Sequence, residues 1–203
     1  MAKHPESTDS LINKRIKAKK PGWVFTPGHF YDLGTRTAVA ATLKRLKAAG
    51  KIRQLGRGLY DLPLHHPKLG ILLPTLEAIT EAIKSRSGIR LEPFGAYAAN
   101  LLGLSDQVPA KVIYLTDGPA GFIKVGPMEI ELRRTTPRKM AVSGKLSGLL
   151  INAFQNLGKH GIEPYRIERL RKKLPEKERK QLLKDLAFAP VWMHPLFKEL
   201  ARS

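Results

Sequence analysis

Residues 35–62 decide the fold of the N-terminal part of this chain, and they have the sequence TRTAVAATLKRLKAAGKIRQLGRGLYDL. The segment from Arg36 to Ala49 predicts an amphipathic helix, because apolar residues recur in it at helical spacing. Its apolar face is formed by Val39, Leu43 and Leu46. Thr35 is the candidate N-cap, and Gly50 stands where a left-handed residue is favoured after a helix.

A hairpin is predicted directly after this helix. Ile52, Leu55, Leu59 and Tyr60 surround the tip Gly56-Arg57-Gly58, so two short strands would present one arginine between two glycines.

The residues upstream predict the elements that accompany such a helix and hairpin. Ser7 and Ser10 are candidate N-caps of a first helix that runs through Lys19, and Trp23-Val-Phe25 is a candidate strand. Thr26-Pro27 predicts a second, short helix to about Leu33. Together these elements predict a winged helix-turn-helix domain over residues 1–64, whose last helix enters the major groove of DNA.

The exposed face of the 36–49 helix carries small residues beside cations. This combination allows close approach to a groove while phosphates are neutralised. The candidate DNA-binding residues are Thr35, Arg36, Thr37, Ala40, Ala41, Lys44, Arg45, Lys47, Arg53 and Arg57. The alternative interpretation is a solvated amphipathic helix whose cations only maintain solubility.

Composition also indicates a polyanionic partner. The 203 residues include 36 Lys and Arg against 17 Asp and Glu, a formal charge of +19, and positive charge is denser before residue 68 than after it. Cys is absent, which excludes disulfide scaffolds, cysteine zinc sites and cysteine nucleophiles. The polar N-terminus and the lack of a long apolar run predict a cytoplasmic protein without a membrane partner.

The rest of the chain predicts a linker over residues 65–73 and a C-terminal mixed α+β domain over residues 74–203. That domain would contain a small sheet covered by helices on one side, with helices predicted over 146–157, 167–174 and 175–187. A basic loop follows its last strand. The candidate phosphate or partner contacts there are Arg133, Arg134, Arg138 and Lys139.

At these residues the sequence resembles the AbiEi-like antitoxins of the AbiE abortive-infection systems, which are type IV toxin–antitoxin systems of bacteria. The strings that carry the resemblance include Gly22-Trp-Val-Phe-Thr-Pro27, Leu33-Gly-Thr-Arg36, Gly50-Lys-Ile-Arg53, Arg57-Gly-Leu-Tyr-Asp61 and Phe94-Gly-Ala-Tyr-Ala-Ala-Asn-Leu-Leu-Gly-Leu104. The resemblance covers nearly the whole chain and weakens after about Gly161. It implies a winged-helix domain joined to an antitoxin domain. It also implies repression of the protein's own operon and neutralisation of a cognate nucleotidyltransferase toxin.

Motifs of catalysis are sparse. The sequence has no phosphate-binding loop, no Gly-x-Ser-x-Gly and no His-Glu-x-x-His, and His65 and His66 are adjacent rather than at metal-ligand spacing. We therefore expect neither enzymatic activity nor a metal or cofactor. Two alternatives to a repressor and antitoxin remain: a basic RNA-binding protein that contacts tRNA or the ribosome, and an enzyme that acts on nucleic acid or nucleotides.

Overall fold

A computed structural model describes residues 6–142 and 144–202. They form two compact units. The N-terminal unit comprises the described part of residues 1–89 with Lys124–Gly126, and the C-terminal unit comprises Arg90–Ile123 with the described part of residues 127–203. Both units contain helices and strands, so the chain is α+β, as the sequence predicts.

The first half of the N-terminal unit follows the predicted order of elements. It consists of α1 (Thr8–Lys17), β1 (Val24–Phe25), a 3₁₀ helix (Pro27–Phe30), α2 (Arg36–Ala48), β2 (Arg53–Gly56) and β3 (Leu59–Asp61). β3 lies between β1 and β2 in an antiparallel sheet. Ser7, rather than Ser10, caps α1, since its side chain accepts from the Ser10 backbone N–H.

Two helices and an aromatic cluster form the core of this half. Its fully buried members are Ile12, Phe25, Phe30, Val39 and Leu43. Trp23 stacks on Phe25 with ring centroids 4.6 Å apart, and the Phe30 ring meets Phe25 edge-on at 5.4 Å. Gly34 lies against the Thr8 side chain, where a Cβ atom would collide, so the turn before α2 can approach α1 closely.

The predicted linker over residues 65–73 is folded. Most of it forms a two-stranded sheet of β4 (Leu64–His66) and β5 (Gly70–Leu72). The turn between the strands is held by the His66 side chain, whose Nδ1 accepts from the backbone N–H groups of Lys68 and Leu69 at 3.2 Å each. The strand ladder and this side-chain acceptor satisfy backbone groups that a linker would leave to water.

The boundary between the units therefore lies near residue 89 and not near residue 64. The helix α3 (Leu76–Ser87) belongs to the N-terminal unit and packs against β1 and the 3₁₀ helix. Thr75 caps its start and Gly88, with φ of 60°, ends it.

The C-terminal unit is built around one sheet and one central helix. Its elements are β6 (Leu91–Phe94), α4 (Ala96–Leu101), β7 (Lys111–Thr116), β8 (Gly121–Val125, whose last two residues are counted with the N-terminal unit), β9 (Met128–Arg134), α5 (Pro137–Met140), α6 (Leu146–Leu157), α7 (Pro164–Lys173), α8 (Glu176–Lys184), 3₁₀ turns at Asp185–Phe188 and Val191–Met193, and α9 (His194–Leu200). The strand order is β6-β7-β9-β8, with β6 antiparallel and β9 parallel to β7. The core is apolar, and its fully buried side chains include Leu150 and Phe154 of α6, Ile167, Leu182 and Phe197.

Within the described ranges, no helix has the length and apolar character that a membrane span requires.

Candidate nucleic-acid interface

The outward face of α2 is accessible and carries small side chains. Thr37, Ala40, Ala41 and Lys44 are all exposed and are spaced as neighbours on one side of the helix. The Lys44 ammonium makes no hydrogen bond or ion pair with any residue in the described ranges. The face therefore combines a low steric profile with one unengaged cation, as its sequence predicts.

The start of α2 is fixed by Thr35. Its hydroxyl accepts a hydrogen bond from the Ala38 backbone N–H at 3.2 Å, so Thr35 acts first as the N-cap. The Arg36 guanidinium lies 5.4 Å from the centre of the Tyr31 ring. This cation–π contact orients Arg36, whose charge is not paired with a carboxylate of any described residue.

Two predicted phosphate contacts are engaged within the protein. Arg45 Nη2 lies 2.5 Å from Asp9 Oδ1, which ties α2 to α1. Lys47 Nζ donates to Gln54 Oε1 at 2.7 Å, which ties α2 to β2. Folding brings an oxygen acceptor within reach of each cation, and both side chains stay exposed, so their contact with the DNA backbone stays a prediction.

Arg53 is also structural. Its guanidinium forms a bidentate pair with Asp61, with Nε–Oδ1 at 3.1 Å and Nη2–Oδ2 at 2.5 Å, and it donates to the Leu72 carbonyl at 2.8 Å. The Asp61 side chain is 1% exposed and that of Arg53 is 27% exposed. A buried carboxylate requires such a partner, so Arg53 holds the β2–β3 hairpin and β5 together, and its contact with a phosphate stays a prediction.

Asp32, the remaining aspartate of this half, also pairs with an arginine. Arg15 binds Asp32 through both guanidinium nitrogens, at 2.8 Å and 2.6 Å. Thus Asp9, Asp32 and Asp61 are each paired with an arginine. The cations without a hydrogen bond or ion pair in the described ranges of this half are mainly lysines: Lys14, Lys17, Lys19, Lys20, Lys44, Lys51, Arg36 and Arg57. Because the three aspartates are already paired with arginines, the positive charge of these cations is not balanced by those carboxylates.

Acid is expected to destabilise the N-terminal unit through Asp9 and Asp32. The hydrogen bond from Arg45 holds the pKa of Asp9 below its ordinary value of 3.8, and the hydrogen bond from Arg15 lowers the pKa of Asp32 in the same way. A carboxyl group with a lowered folded-state pKa stabilises the fold above its unfolded-state pKa, and this stability is lost as the pH falls through the folded-state value.

We therefore expect the thermal unfolding temperature, followed by circular dichroism, to fall below about pH 4. The double variant Asp9→Asn, Asp32→Asn should unfold at a lower temperature than the wild type at pH 7 and approach it in acid. If the unfolding temperatures of the two proteins change in parallel with pH, Asp9 and Asp32 are not the cause of the acid destabilisation.

Arg57 occupies the tip of the β2–β3 hairpin. It is exposed, and it makes no hydrogen bond or ion pair in the part of the chain that the structure describes. Gly58 has φ of 69°, a left-handed conformation that glycine adopts without strain, and so permits the tight turn. The predicted cationic tip is present.

The predicted basic loop of the C-terminal unit is divided in two. Arg133 pairs with Glu131 at 3.0 Å and lies 5.8 Å from the Phe94 ring centre, so it is engaged within the protein. Lys111 also binds Glu131, at 2.8 Å, and its hydrogen bond is the main cause of the lowered pKa of Glu131. Glu131 lies half-buried between these two cations, and the predicted contact of Arg133 with a phosphate or partner stays a prediction.

Arg134, Arg138 and Lys139 remain available to a partner. Arg134 is exposed and lacks a hydrogen bond or ion pair among the described residues. Arg138 and Lys139 lie on the short helix α5 rather than on a loop, because Thr136 accepts from the Lys139 backbone N–H and caps it. Arg138 makes one long contact, from Nη2 to the Ala187 carbonyl at 3.4 Å.

The cationic helices near the C-terminus are partly neutralised. Glu168 binds Lys172 at 2.9 Å and Glu176 binds Lys180 at 2.6 Å, each one helical turn apart. Arg179 donates to three backbone carbonyl groups and so closes the α7–α8 turn.

A serine–histidine pair in the N-terminal unit has no signal in the sequence, because its members are 56 positions apart. Ser85 Oγ lies 3.0 Å from His29 Nε2. The Thr26 backbone N–H donates to His29 Nδ1 at 3.1 Å, so the neutral ring carries its proton on Nε2 and donates it to Ser85. The pair therefore joins α3 to the 3₁₀ helix. No group of three His, Cys, Asp or Glu side chains in the described ranges is arranged to hold a metal ion.

Comparison with known proteins gives a family match. Residues 11–182 match the family described as "Family of unknown function (DUF6088)". No curated protein matches the sequence. The crystal structure of the RV2827C protein from Mycobacterium tuberculosis is similar with a TM-score of 0.43 and 13% identity, over 94% of this chain and 74% of that chain. Similarity at that level supports no conclusion about function.

Proposed function

The chain belongs to DUF6088, a family of unknown function, and we propose from its own residues that it is a DNA-binding antitoxin. In this proposal residues 1–64 form a winged helix-turn-helix that binds the promoter of the protein's own operon and represses it. The C-terminal part neutralises a nucleotidyltransferase toxin encoded beside it, through direct contact or functionally.

The observation that carries the DNA-binding part is the exposed face of α2. Thr37, Ala40, Ala41 and Lys44 form a continuous strip with little steric bulk, and a helix presented in this way fits the major groove. The order of α1, β1, the 3₁₀ helix, α2 and the β2–β3 hairpin is the order of a winged helix, and Arg57 stands at the tip that contacts backbone or minor groove in that fold.

Charge supports the same proposal. Three carboxylates of this half are neutralised by arginines that hold the fold together. The field outside is then dominated by the unengaged lysines, Arg36 and Arg57, which favours a polyanion. The arginines that pair with aspartates are thus different residues from the cations that we propose to face the DNA.

The antitoxin part depends on the family resemblance of the sequence, and it has a genetic test. Expression of the neighbouring toxin gene should arrest growth, and co-expression of this chain should restore it. A reporter fused to the DNA upstream of the protein's gene should be repressed by the chain and relieved by Lys44→Ala. Growth arrest that the chain leaves unchanged would overturn the antitoxin assignment, while an unrepressed reporter would overturn the repressor assignment.

The runner-up function is binding of tRNA or ribosomal RNA without base readout. Exposed cations of α7 and α8 favour it, because Arg169, Lys173 and Lys177 have no hydrogen bond or ion pair in the described ranges. Sequence-tolerant binding that prefers RNA to DNA would support this alternative.

Replacement of Arg57 by alanine is expected to weaken binding to all DNA sequences about equally. Its side chain at the hairpin tip is placed for a phosphate, so the slope of log K against log salt should become shallower by ~0.9. Fluorescence anisotropy with promoter and scrambled DNA measures both quantities. Arg57→Lys, which keeps the charge at the same tip, is the control and should preserve the slope, and an unchanged slope for Arg57→Ala would remove the tip from the interface.

A further inference from the structure

The C-terminal unit contains a cavity of about 280 Å³ that the DNA-binding proposal does not use. One wall is the face of α6 that carries Gly148, Ile151, Asn152 and Gln155, which are spaced as neighbours on the helix. The opposite wall comes from Thr136 to Val142 and from Phe188 to Pro190. All of these residues belong to one compact unit.

The Asn152 side chain lines this cavity and has one hydrogen-bond acceptor without a partner among the described residues. Asn152 is 5% exposed, and its Nδ2 donates to the Pro93 carbonyl at 2.9 Å. That bond fixes the amide orientation, because only the NH₂ group can face a carbonyl oxygen. The other amide atom, Oδ1, accepts no hydrogen bond from the described residues. No fully buried side-chain N or O atom in those residues lacks a partner, so Oδ1 keeps some accessible surface, on a residue that lines the cavity.

The rest of the lining supplies complementary chemistry. Phe188 is 38% exposed and offers a ring face, and Ile151 and Val142 add apolar surface. Gln155 is exposed on the same side of α6 and offers both a donor and an acceptor. Arg138 and Lys139 bring two cations to the lining, and neither ion-pairs with a described carboxylate.

We propose that this cavity binds a free nucleoside monophosphate whose base carries an exocyclic amino group, with adenosine monophosphate as the preferred form. The amino group donates to Asn152 Oδ1, and Gln155 completes the contact to the base edge, as amide side chains do with adenine. The base stacks on Phe188, and Arg138 and Lys139 bind the phosphate. The cavity of about 280 Å³ is slightly smaller than most ligand sites, which run from ~300 Å³, so we expect it to hold no more than one nucleotide.

The inference is independent of the proposed DNA-binding function, since it uses no residue of the N-terminal unit. It also names a ligand, adenosine monophosphate, for the phosphate contact that the sequence predicts at Arg138 and Lys139.

Isothermal titration of the full chain with adenosine monophosphate tests the proposal. Inosine monophosphate differs by carrying an oxo group in place of the amino group, and we expect it to bind at least ~10-fold more weakly. Adenosine keeps only the base contacts and inorganic phosphate keeps only the phosphate contacts, so each should bind at least ~10-fold more weakly than adenosine monophosphate. Equal affinities for the adenine and inosine nucleotides, or no heat with either, would overturn the proposal.

Variants of exposed residues keep the test independent of folding. Phe188→Ala and the pair Arg138→Gln, Lys139→Gln should each weaken adenosine monophosphate binding at least ~5-fold. Val191→Ala and Lys159→Gln, which change exposed residues outside the cavity, are the matched controls and should leave it unchanged. Equal losses in the cavity variants and the controls would overturn the assignment. A trinucleotide of adenosine that binds more than ~10-fold tighter than the monophosphate would replace a free nucleotide with a strand as the ligand.

Discussion

Replacement of Lys44 by alanine is expected to weaken binding to the specific DNA site by ~1–3 kcal/mol, which is roughly a 5- to 150-fold loss. Binding to scrambled DNA should change much less. The reason is position: Lys44 lies in the middle of the exposed strip of α2, between small side chains that let the helix approach base edges, and nothing in the described part of the chain competes for its ammonium. Fluorescence anisotropy with promoter and scrambled duplexes at one fixed salt concentration measures the two losses.

Lys17→Ala provides the matched control for this prediction. Lys17 is an exposed, unengaged lysine in the last turn of α1 and outside the strip on α2. The Lys17→Ala substitution should weaken binding to the promoter and scrambled duplexes to the same small extent. If Lys44→Ala also weakens both duplexes equally, Lys44 contacts phosphate and base readout must come from other residues.

Replacement of Arg53 by methionine is expected to lower the free energy of unfolding by ~3–5 kcal/mol. Methionine keeps much of the arginine stem, so the change mainly removes the charge and its hydrogen bonds. Asp61, 1% exposed, would then be a buried carboxylate without its bidentate partner, and the Leu72 carbonyl would lose a donor. Urea denaturation of the full chain, followed by the tryptophan fluorescence of Trp23 and Trp192, measures the effect.

Two further variants separate charge burial from a general loss of contacts. The double variant Arg53→Met, Asp61→Leu removes both charges and should recover most of the loss. Arg45→Met breaks a pair whose side chains are 63% and 44% exposed, and it should cost no more than ~1 kcal/mol. Similar losses for Arg53→Met and Arg45→Met would contradict the role of the buried carboxylate.

Elements that depend on local sequence are well predicted. The helix α6 has the predicted bounds, Leu146–Leu157, because an uninterrupted apolar periodicity ends at Gly158. The helix α2 begins at its predicted cap for the same kind of reason, since the Thr35 hydroxyl and the Ala38 amide are three residues apart. In both cases the deciding interactions lie within one or two helical turns.

The predicted linker shows where local signals fail. Two prolines and a glycine between residues 63 and 70 are typical of a loop, yet the segment forms the β4–β5 hairpin. Its turn is closed by the His66 ring, an acceptor that composition does not reveal. The strands themselves are short and exposed, so they have no buried alternation to predict them.

The candidate site also contains features that local sequence predicts and features that depend on the folded arrangement. Exposure of Lys44 and of Arg57 follows from helical periodicity and hairpin geometry, and both residues are where the sequence places them. The sequence predicts phosphate contacts for Arg45 and Arg53 because both are cationic and lie in or beside the candidate DNA-binding elements. Their carboxylate partners are 36 and 8 positions away along the chain, and only the folded arrangement brings them together.

The central claim, readout of DNA sequence by the N-terminal unit, is tested most directly by equilibrium binding across a salt series. The full chain should be titrated with the DNA upstream of its own gene, with scrambled DNA of equal length and with tRNA. The account predicts that the upstream DNA remains the preferred ligand at ~200 mM salt, because base and shape contacts survive when the phosphate contribution is screened. Equal affinities for the three ligands that fall together as salt rises would contradict it and would leave charge alone as the basis of binding.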